Sequence, residues 1–92
     1  MTRNKLLTDA AVLAKIGQFV GSYVTVIFMT HGPVENSKEI PLRKLEDMHR
    51  RGLLDREVFE NTLGHTVVQY AIPGLLRIPA YAVRKADMPV IA

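Results

Sequence analysis

The sequence predicts an α+β fold, a small two-layer domain in which about three antiparallel strands carry about three helices in the order α-β-α-α-β-β. Three features predict it. Apolar residues recur at helical spacing on both sides of Gly52, a run of β-branched and aromatic residues covers 23–30, and apolar and polar residues alternate from 66 to 72. A chain of 92 residues is expected to form a single domain over 1–92.

A first helix is predicted from Asn4 to about Val20. Asn4 is a suitable N-cap, Gly21 is a suitable C-terminal stop, and one helical face is apolar. That face consists of Leu6, Ala10, Leu13, Gly17 and Val20. The window from Ala11 to Met29 also gives a weak transmembrane prediction, but it contains a lysine and two glycines. A helix followed by a buried strand explains it better.

Tyr23 to Thr30 is the clearest predicted strand. Its apolar side chains point to both faces, which is typical of a central strand. His31-Gly32-Pro33 is expected to end the strand, and a mobile loop is predicted near 31–39.

Two short helices are predicted between Pro41 and Leu63. Pro41 suits the first turn of a helix, Gly52 can take the left-handed conformation that ends one, and Asp55 is a natural N-cap for the next. Opposite charges at i and i+4 are expected to pair and to neutralise part of the basic charge. The predicted pairs are Glu39 with Arg43, Glu46 with Arg50, and Asp47 with Arg51.

Two further strands are predicted after the helices. Thr66 to Ile72 alternates as a strand, and Pro73-Gly74 is a turn signal. Leu75 to Arg84 is predicted to return as an edge strand or to carry a bulge, because Pro79 cannot donate a ladder hydrogen bond. The tail, 86–92, is expected to fray or to dock. A sheet of three strands has two free edges, so a homodimer through an edge strand is a further expectation.

The charge of the chain is mildly basic. Twelve Lys and Arg residues oppose nine Asp and Glu residues, which gives a net charge of +3. This excess permits contact with a phosphate backbone but is far from a polybasic tail. Asp9 and Lys15 interrupt the apolar N-terminal run, so no signal peptide is expected. With no cysteine in the chain, the composition fits a reducing compartment, and we predict a cytoplasmic protein without a membrane partner.

No pattern of catalytic or metal-binding residues is present in the sequence. His31, His49 and His65 lack the close spacing of a helical metal pair, and the absence of cysteine excludes disulfides and thiolate ligands. Neither Ser22 nor Ser37 lies in a nucleophile-elbow pattern, and the glycines do not follow the spacing of a phosphate loop. We therefore expect a protein that is not an enzyme and uses no cofactor or metal.

The sharpest candidate site is a cluster of basic residues, interpreted as a partner-binding surface: Arg43, Lys44, Arg50, Arg51 and Arg56. Such a cluster can bind nucleic acid phosphates or an acidic protein. The competing interpretation is a solvated helix face balanced by nearby acids, namely Glu46, Asp47, Asp55 and Glu57.

A possible secondary surface lies on the last predicted strand: Arg77, Tyr81, Arg84 and Lys85. These residues could stack on bases and contact phosphates. Strand alternation puts Arg77 and Tyr81 on one face and Arg84 on the other, so an ordinary edge strand is the competing interpretation.

The stretch LRKLEDMHRRGLLDREVF resembles the short helical-hairpin module of the SHOCT type that is often found at the C-terminus of bacterial proteins. The matching residues are Leu42, Leu45, Met48, Gly52, Leu53, Leu54 and Phe59. The resemblance implies oligomerisation or docking. This chain departs from the family by placing the hairpin in its middle, with strands after it, and we carry no function across.

Small size, the lack of a reactive constellation and a modest basic cluster predict a small non-enzymatic binding protein. We expect an inhibitor or adaptor of the kind found in phages and mobile elements, with an anti-defence role, which blocks a host protein or ribonucleoprotein through a basic helical surface. One alternative is a small DNA-binding transcriptional regulator with a helix-turn-helix-like hairpin. A second alternative is a structural or oligomerisation subunit.

Overall fold

A computed structural model describes residues 8–29, 32–35 and 40–85 of the chain. The elements in chain order are α1 (Asp9–Gln18), β1 (Tyr23–Met29), β2 (Gly32–Glu35), α2 (Leu42–Arg50), β3 (Asp55–Glu60), β4 (Thr66–Ala71) and β5 (Val83–Lys85). The strands form one antiparallel sheet in the order β2-β1-β4-β3-β5. The predicted α+β class is confirmed, but the described part has two α-helices and five strands rather than about three of each.

The core lies between the two helices and one face of the sheet. Val12 and Ile16 of α1 and Leu45 and Met48 of α2 are at most 1% exposed. The strand residues that pack with them share one face, because they occupy alternate and directly paired positions. These residues are Val24, Val26, Val58, Val68 and Tyr70. The predicted apolar face of α1 is therefore wrong: Val12 and Ile16 point inward, whereas Ala10, Gly17 and Val20 are exposed.

Helix α1 begins later in the chain than predicted. Thr8 is its N-cap, since the Thr8 hydroxyl oxygen accepts a hydrogen bond from the Ala11 N–H at 3.1 Å. The predicted cap, Asn4, lies outside the described residues. After α1 the chain turns at Gly21, whose φ is +83°. No helix in 8–29, 32–35 or 40–85 has the length and apolarity needed to cross a membrane.

The predicted strand from Tyr23 is confirmed as β1, an interior strand that lies between β2 and β4. The prediction of a mobile loop near 31–39 is wrong for Gly32–Glu35, which pairs with β1 as β2. This pairing gives hydrogen-bond partners to the side of β1 that would otherwise be a free edge. The remaining loop residues, 31 and 36–39, and the tail at 86–92 lie outside the described residues.

The second predicted helix is wrong, because Asp55–Glu60 forms strand β3. Val58 and Phe59 are adjacent and both buried, since they point to opposite faces of a sheet that is covered on both sides at this point. β3 pairs with β4 and with β5, whereas an isolated helix of this length would be marginal. Asp55 is not an N-cap: its carboxylate accepts a hydrogen bond from the Gly74 N–H at 2.8 Å.

Gly52 ends α2 as predicted, although it leads into a strand. Its φ is +81°, its N–H donates to the His49 carbonyl, and the Leu53 N–H donates to the Met48 carbonyl, both at 2.9 Å. This pair of hydrogen bonds is the Schellman motif. The likeness to a helical hairpin therefore ends at Gly52, because β3 replaces the second helix.

We predict that Gly52→Val lowers the free energy of unfolding by about 1 kcal/mol or more, because a β-branched residue is strained at positive φ. No atom lies within 4 Å of a Cβ built at Gly52, so the cost should come from the backbone alone. Chemical denaturation of wild type, Gly52→Val and Gly52→Asn tests this, and asparagine should cost less than valine. Equal stability of all three proteins would contradict the prediction.

The predicted strand from Thr66 is confirmed as β4, and it lies in the middle of the sheet. The predicted return strand from Leu75 to Arg84 is wrong for most of its length, since only Val83–Lys85 is a strand. Residues 73–82, which we call the crossing segment, lie over the sheet face opposite the helices. Gln69 of β4 holds them there: its amide accepts from the Arg77 N–H at 2.5 Å and donates to the Arg77 carbonyl at 3.0 Å.

Candidate functional site

The five residues of the predicted basic cluster fall into three groups in the structure. Leu42, Leu45 and Met48 form the buried stripe of α2. Arg43 and Arg50 are two helical turns apart on the opposite, exposed side. Lys44 and Arg51 lie toward α1, and Arg56 lies beneath α2 on β3.

Lys44 and Arg51 share one carboxylate, that of Asp9 in the first turn of α1. The Arg51 guanidinium donates to both Asp9 carboxylate oxygens at 2.6 and 2.8 Å, and the Lys44 ammonium donates to Oδ1 at 2.8 Å. We call these three residues the Asp9 clamp. The two-point contact is the strong geometry of an arginine–carboxylate pair. The clamp joins the beginning of α1 to the end of α2.

Asp47 of α2 shares Arg51 with the clamp. The Asp47 carboxylate accepts from the Arg51 guanidinium at 2.7 and 3.1 Å, which confirms the predicted pair between these residues. The hydrogen bonds from Arg51 hold the pKa values of Asp47 and Asp9 below their ordinary range, and those two carboxylates raise the pKa of Arg51. The charge of Arg51 is therefore balanced by two carboxylates of the same molecule.

Arg56 also pairs within the molecule, in a partly buried network beneath α2. Its guanidinium donates to both carboxylate oxygens of Glu46 at 2.8 and 2.9 Å, and the Tyr70 hydroxyl donates to the same carboxylate. Tyr70 is fully buried. Glu46 therefore pairs with Arg56 and Tyr70, and the predicted pair of Glu46 with Arg50 is wrong.

The pKa values of this network follow from burial and from its hydrogen bonds. Burial acts to raise the pKa of Glu46, but the hydrogen bonds from Tyr70 and Arg56 outweigh it, and the pKa lies below its ordinary value. Burial, and then the Glu46 carboxylate, raise the pKa of Tyr70. Glu46 therefore stays ionised and Tyr70 stays protonated at neutral pH.

Arg43 and Arg50 remain as the exposed cations of α2. Glu39, the predicted partner of Arg43, lies outside the described residues, and within those residues no carboxylate pairs with Arg43. The Arg50 side chain is 70% exposed and lies 3.5 Å from Asp47. We call Arg43, Lys44, Arg50 and Arg51, with Asp9 and Asp47, the α2 surface. Its four cations and two carboxylates leave an excess of two positive charges.

Arg77 and Arg84 of the predicted secondary surface lie on one side of the sheet, although the sequence placed them on opposite faces. Arg84 is paired with Phe59, which shares a sheet face with Gln69. Because Gln69 binds the backbone of Arg77, Arg77 and Arg84 lie on the same side of the sheet. The prediction that Arg84 falls on the other face is wrong, because residues 75–79 do not continue a strand. Tyr81 is exposed in the turn that precedes β5.

The described residues contain no group of three or more His, Asp or Glu side chains that could hold a metal ion. His49 has a structural contact instead, since its Nδ1 lies 3.0 Å from the Leu54 carbonyl oxygen. His65 closes the β3–β4 turn, where its N–H donates to the Asn61 side chain at 2.9 Å. His31 lies outside the described residues.

Sequence reasoning missed Asp9, the partner of Lys44 and Arg51, and Tyr70, the partner of Glu46. Both are far in the chain from the residues that they contact, so no local spacing reveals these pairs. The acidic residue in the first turn of α1 is favoured there by the helix dipole alone. Asp9 also binds Lys44 and Arg51, and this contact exists only because the fold places α2 beside α1.

No protein-family model, curated protein or solved structure gave a significant match to this chain.

Proposed function

We propose that this chain is a small non-enzymatic binding protein of the cytoplasm, an inhibitor or adaptor that blocks an acidic face of a host protein or ribonucleoprotein through the α2 surface. The observation that supports it is the division among the basic residues. Lys44, Arg51 and Arg56 are held by internal carboxylates, whereas Arg43 and Arg50 point to solvent from a helix that is fixed at both ends. A fixed helix presents its arginines with little ordering cost on binding.

The DNA-binding alternative loses its main structural argument. A helix-turn-helix reader places its second helix in the major groove. Here β3 occupies the position of that helix. A gel-shift series with arbitrary duplex DNA from low to moderate salt separates the two functions, and we expect no shift. A salt-dependent shift would favour the DNA-binding regulator.

We predict that the double variant Arg43→Glu, Arg50→Glu loses at least nine-tenths of the partner captured from host lysate. Reversing two exposed charges on a complementary surface adds like-charge repulsion and slows association. The fold should be kept, because neither residue belongs to the Asp9 clamp or to the Glu46 network. Quantitative mass spectrometry of captured proteins measures the loss, and circular dichroism confirms folding.

The charge-conserving control is Arg43→Lys, Arg50→Lys, which keeps both positive charges on the exposed side of α2. It should retain most of the partner that wild type captures. Equal loss in both double variants would mean that the charge of the α2 surface does not govern capture. Full retention by Arg43→Glu, Arg50→Glu would place the binding site elsewhere.

A further inference from the structure

Strand β5 is the end of the sheet, and its residues are exposed. β5 pairs with β3 on one side, and among the described residues no strand pairs with its other side. Val83 is 61% exposed, and the Arg84 side chain is 67% exposed. The unpaired N–H and C=O groups of an edge strand are a template for one more strand.

The cations of β5 are held only loosely. Arg84 lies 4.0 Å from Glu57, and Lys85 lies 4.0 Å from Glu60. These distances are at the limit of an ion pair, whereas the Arg51 guanidinium lies 2.6 Å from Asp9. Exposed pairs of this kind contribute little to stability, so a ligand carboxylate can replace them at low cost.

Exposed apolar side chains lie beside the start of β5. The register pairs Val83 with Glu60, the last residue of β3, so β5 starts next to the β3–β4 turn. Leu63 in that turn is 78% exposed, and Tyr81, two residues before Val83, is 58% exposed. Apolar side chains with arginine and tyrosine nearby are typical of protein-binding surfaces.

We propose that the open edge of β5 accepts an extended acidic segment of a partner protein as a sixth strand. Val83 and Arg84 point to opposite faces of the sheet, and Arg77 lies on the side of Arg84. A segment that alternates apolar and acidic residues would place the apolar ones beside Val83 and the acidic ones beside Arg84. This site lies on a different element from the α2 surface, and the proposal goes beyond the function proposed above.

Charge favours this occupant over a second copy of the chain. Antiparallel pairing of two β5 strands about Arg84 would bring the two arginines directly opposite each other, which is unfavourable. A nucleic acid could use the cations but has no peptide groups with which to extend the backbone ladder. An acidic peptide strand can pair with Arg84 and can extend the backbone ladder.

The test is a titration of the ¹⁵N-labelled full chain with a blocked eight-residue peptide of alternating valine and glutamate. We expect amide shifts in Val83–Lys85 and in the adjoining residues of β3. A lysine counterpart should produce no shifts. A glutamate peptide N-methylated at alternate residues should bind at least tenfold more weakly, because it cannot donate to the edge.

Charge reversal provides the second arm of this test. Arg84→Glu should lose the glutamate peptide and gain the lysine peptide, and a wild-type-like spectrum confirms its fold. Undiminished binding of the N-methylated peptide would overturn strand addition. Shifts confined to Arg43 and Arg50 would move acidic binding to the α2 surface, and no shift at millimolar peptide would overturn the proposal. Stronger shifts of the β5 amides with an equal concentration of duplex DNA would assign the site to nucleic acid.

Discussion

Glu46→Ala is expected to lower the free energy of unfolding by about 2–3 kcal/mol. The change removes the acceptor of a fully buried tyrosine hydroxyl and the partner of the Arg56 guanidinium at once. The side chains of Arg56 and Glu46 are 22% and 19% exposed, so the cost should stay below that of breaking a fully buried pair. Urea denaturation followed by circular dichroism measures it.

A double-mutant cycle separates the hydrogen bond from the general effect of truncation. Tyr70→Phe removes only the hydroxyl and should cost about 1 kcal/mol alone and much less in the background of Glu46→Ala. Glu57→Ala is the matched control, because its carboxylate is 4.0 Å from its partner Arg84, and it should change stability by less than about 0.5 kcal/mol. Additive effects of Glu46→Ala and Tyr70→Phe on the free energy of unfolding would show that the Tyr70 hydroxyl and the Glu46 carboxylate are not coupled.

The hydrogen bonds of Glu46 also determine that stability should fall as the pH is lowered. The pKa of Glu46 is lower in the folded state than its ordinary value of 4.5, so the unfolded chain binds the proton more readily. The stabilisation is complete above that value and is lost as the pH falls through the folded pKa. As the pH is lowered from about 5, the free energy of unfolding should therefore fall less for Glu46→Gln than for wild type.

Arg51→Glu is expected to lower the melting temperature clearly more than Arg50→Glu, although the two residues are neighbours at the end of α2. Arg51 donates four hydrogen bonds to Asp9 and Asp47. A glutamate there would place three carboxylates together, whereas Arg50 has one contact at 3.5 Å. Thermal unfolding at low and high salt tests this, and salt should reduce the difference.

The exchange variant Asp9→Lys, Arg51→Glu provides the control, since it restores opposite charges between α1 and α2. It should recover part of the melting temperature that Arg51→Glu loses. Equal melting temperatures of the Arg50 and Arg51 variants would contradict a stabilising clamp. Charge reversal at Arg50 should therefore leave the Asp9 clamp intact, whereas charge reversal at Arg51 should break it.

Elements whose apolar pattern is local could be predicted from the sequence. β1 and β4 follow from runs of β-branched residues, and the end of α2 follows from Gly52. β3 could not, because adjacent buried residues such as Val58 and Phe59 fit a helix as well as a strand with two covered faces. Hydrogen-bonded pairing with β4 and β5 makes this segment a strand, and a local pattern does not reveal that pairing.

The candidate site was predictable in residue type but not in role. Five basic residues are visible in the sequence, yet whether each is free depends on carboxylates elsewhere in the fold. Asp9 is 42 residues from Arg51, and Tyr70 is 24 residues from Glu46. Sequence reasoning therefore gave Arg43, Arg51 and Arg56 the same role in partner binding. In the structure, Arg51 pairs with Asp9 and Arg56 pairs with Glu46.

Gln69 and Asp55 attach the crossing segment through its backbone, since their hydrogen bonds end on peptide atoms of Arg77 and Gly74. Any residue with an N–H group at position 77 can accept this attachment. The path is therefore insulated from the outward side chains of the segment, which are free to diversify without loss of the fold. A glutamate at 69 could accept but not donate, so both hydrogen bonds to Arg77 require the amide. Such a division is what a display scaffold requires: randomised side chains at the exposed positions 75, 77, 80 and 81 would vary the surface, while Gln69 and Asp55 keep the loop in place.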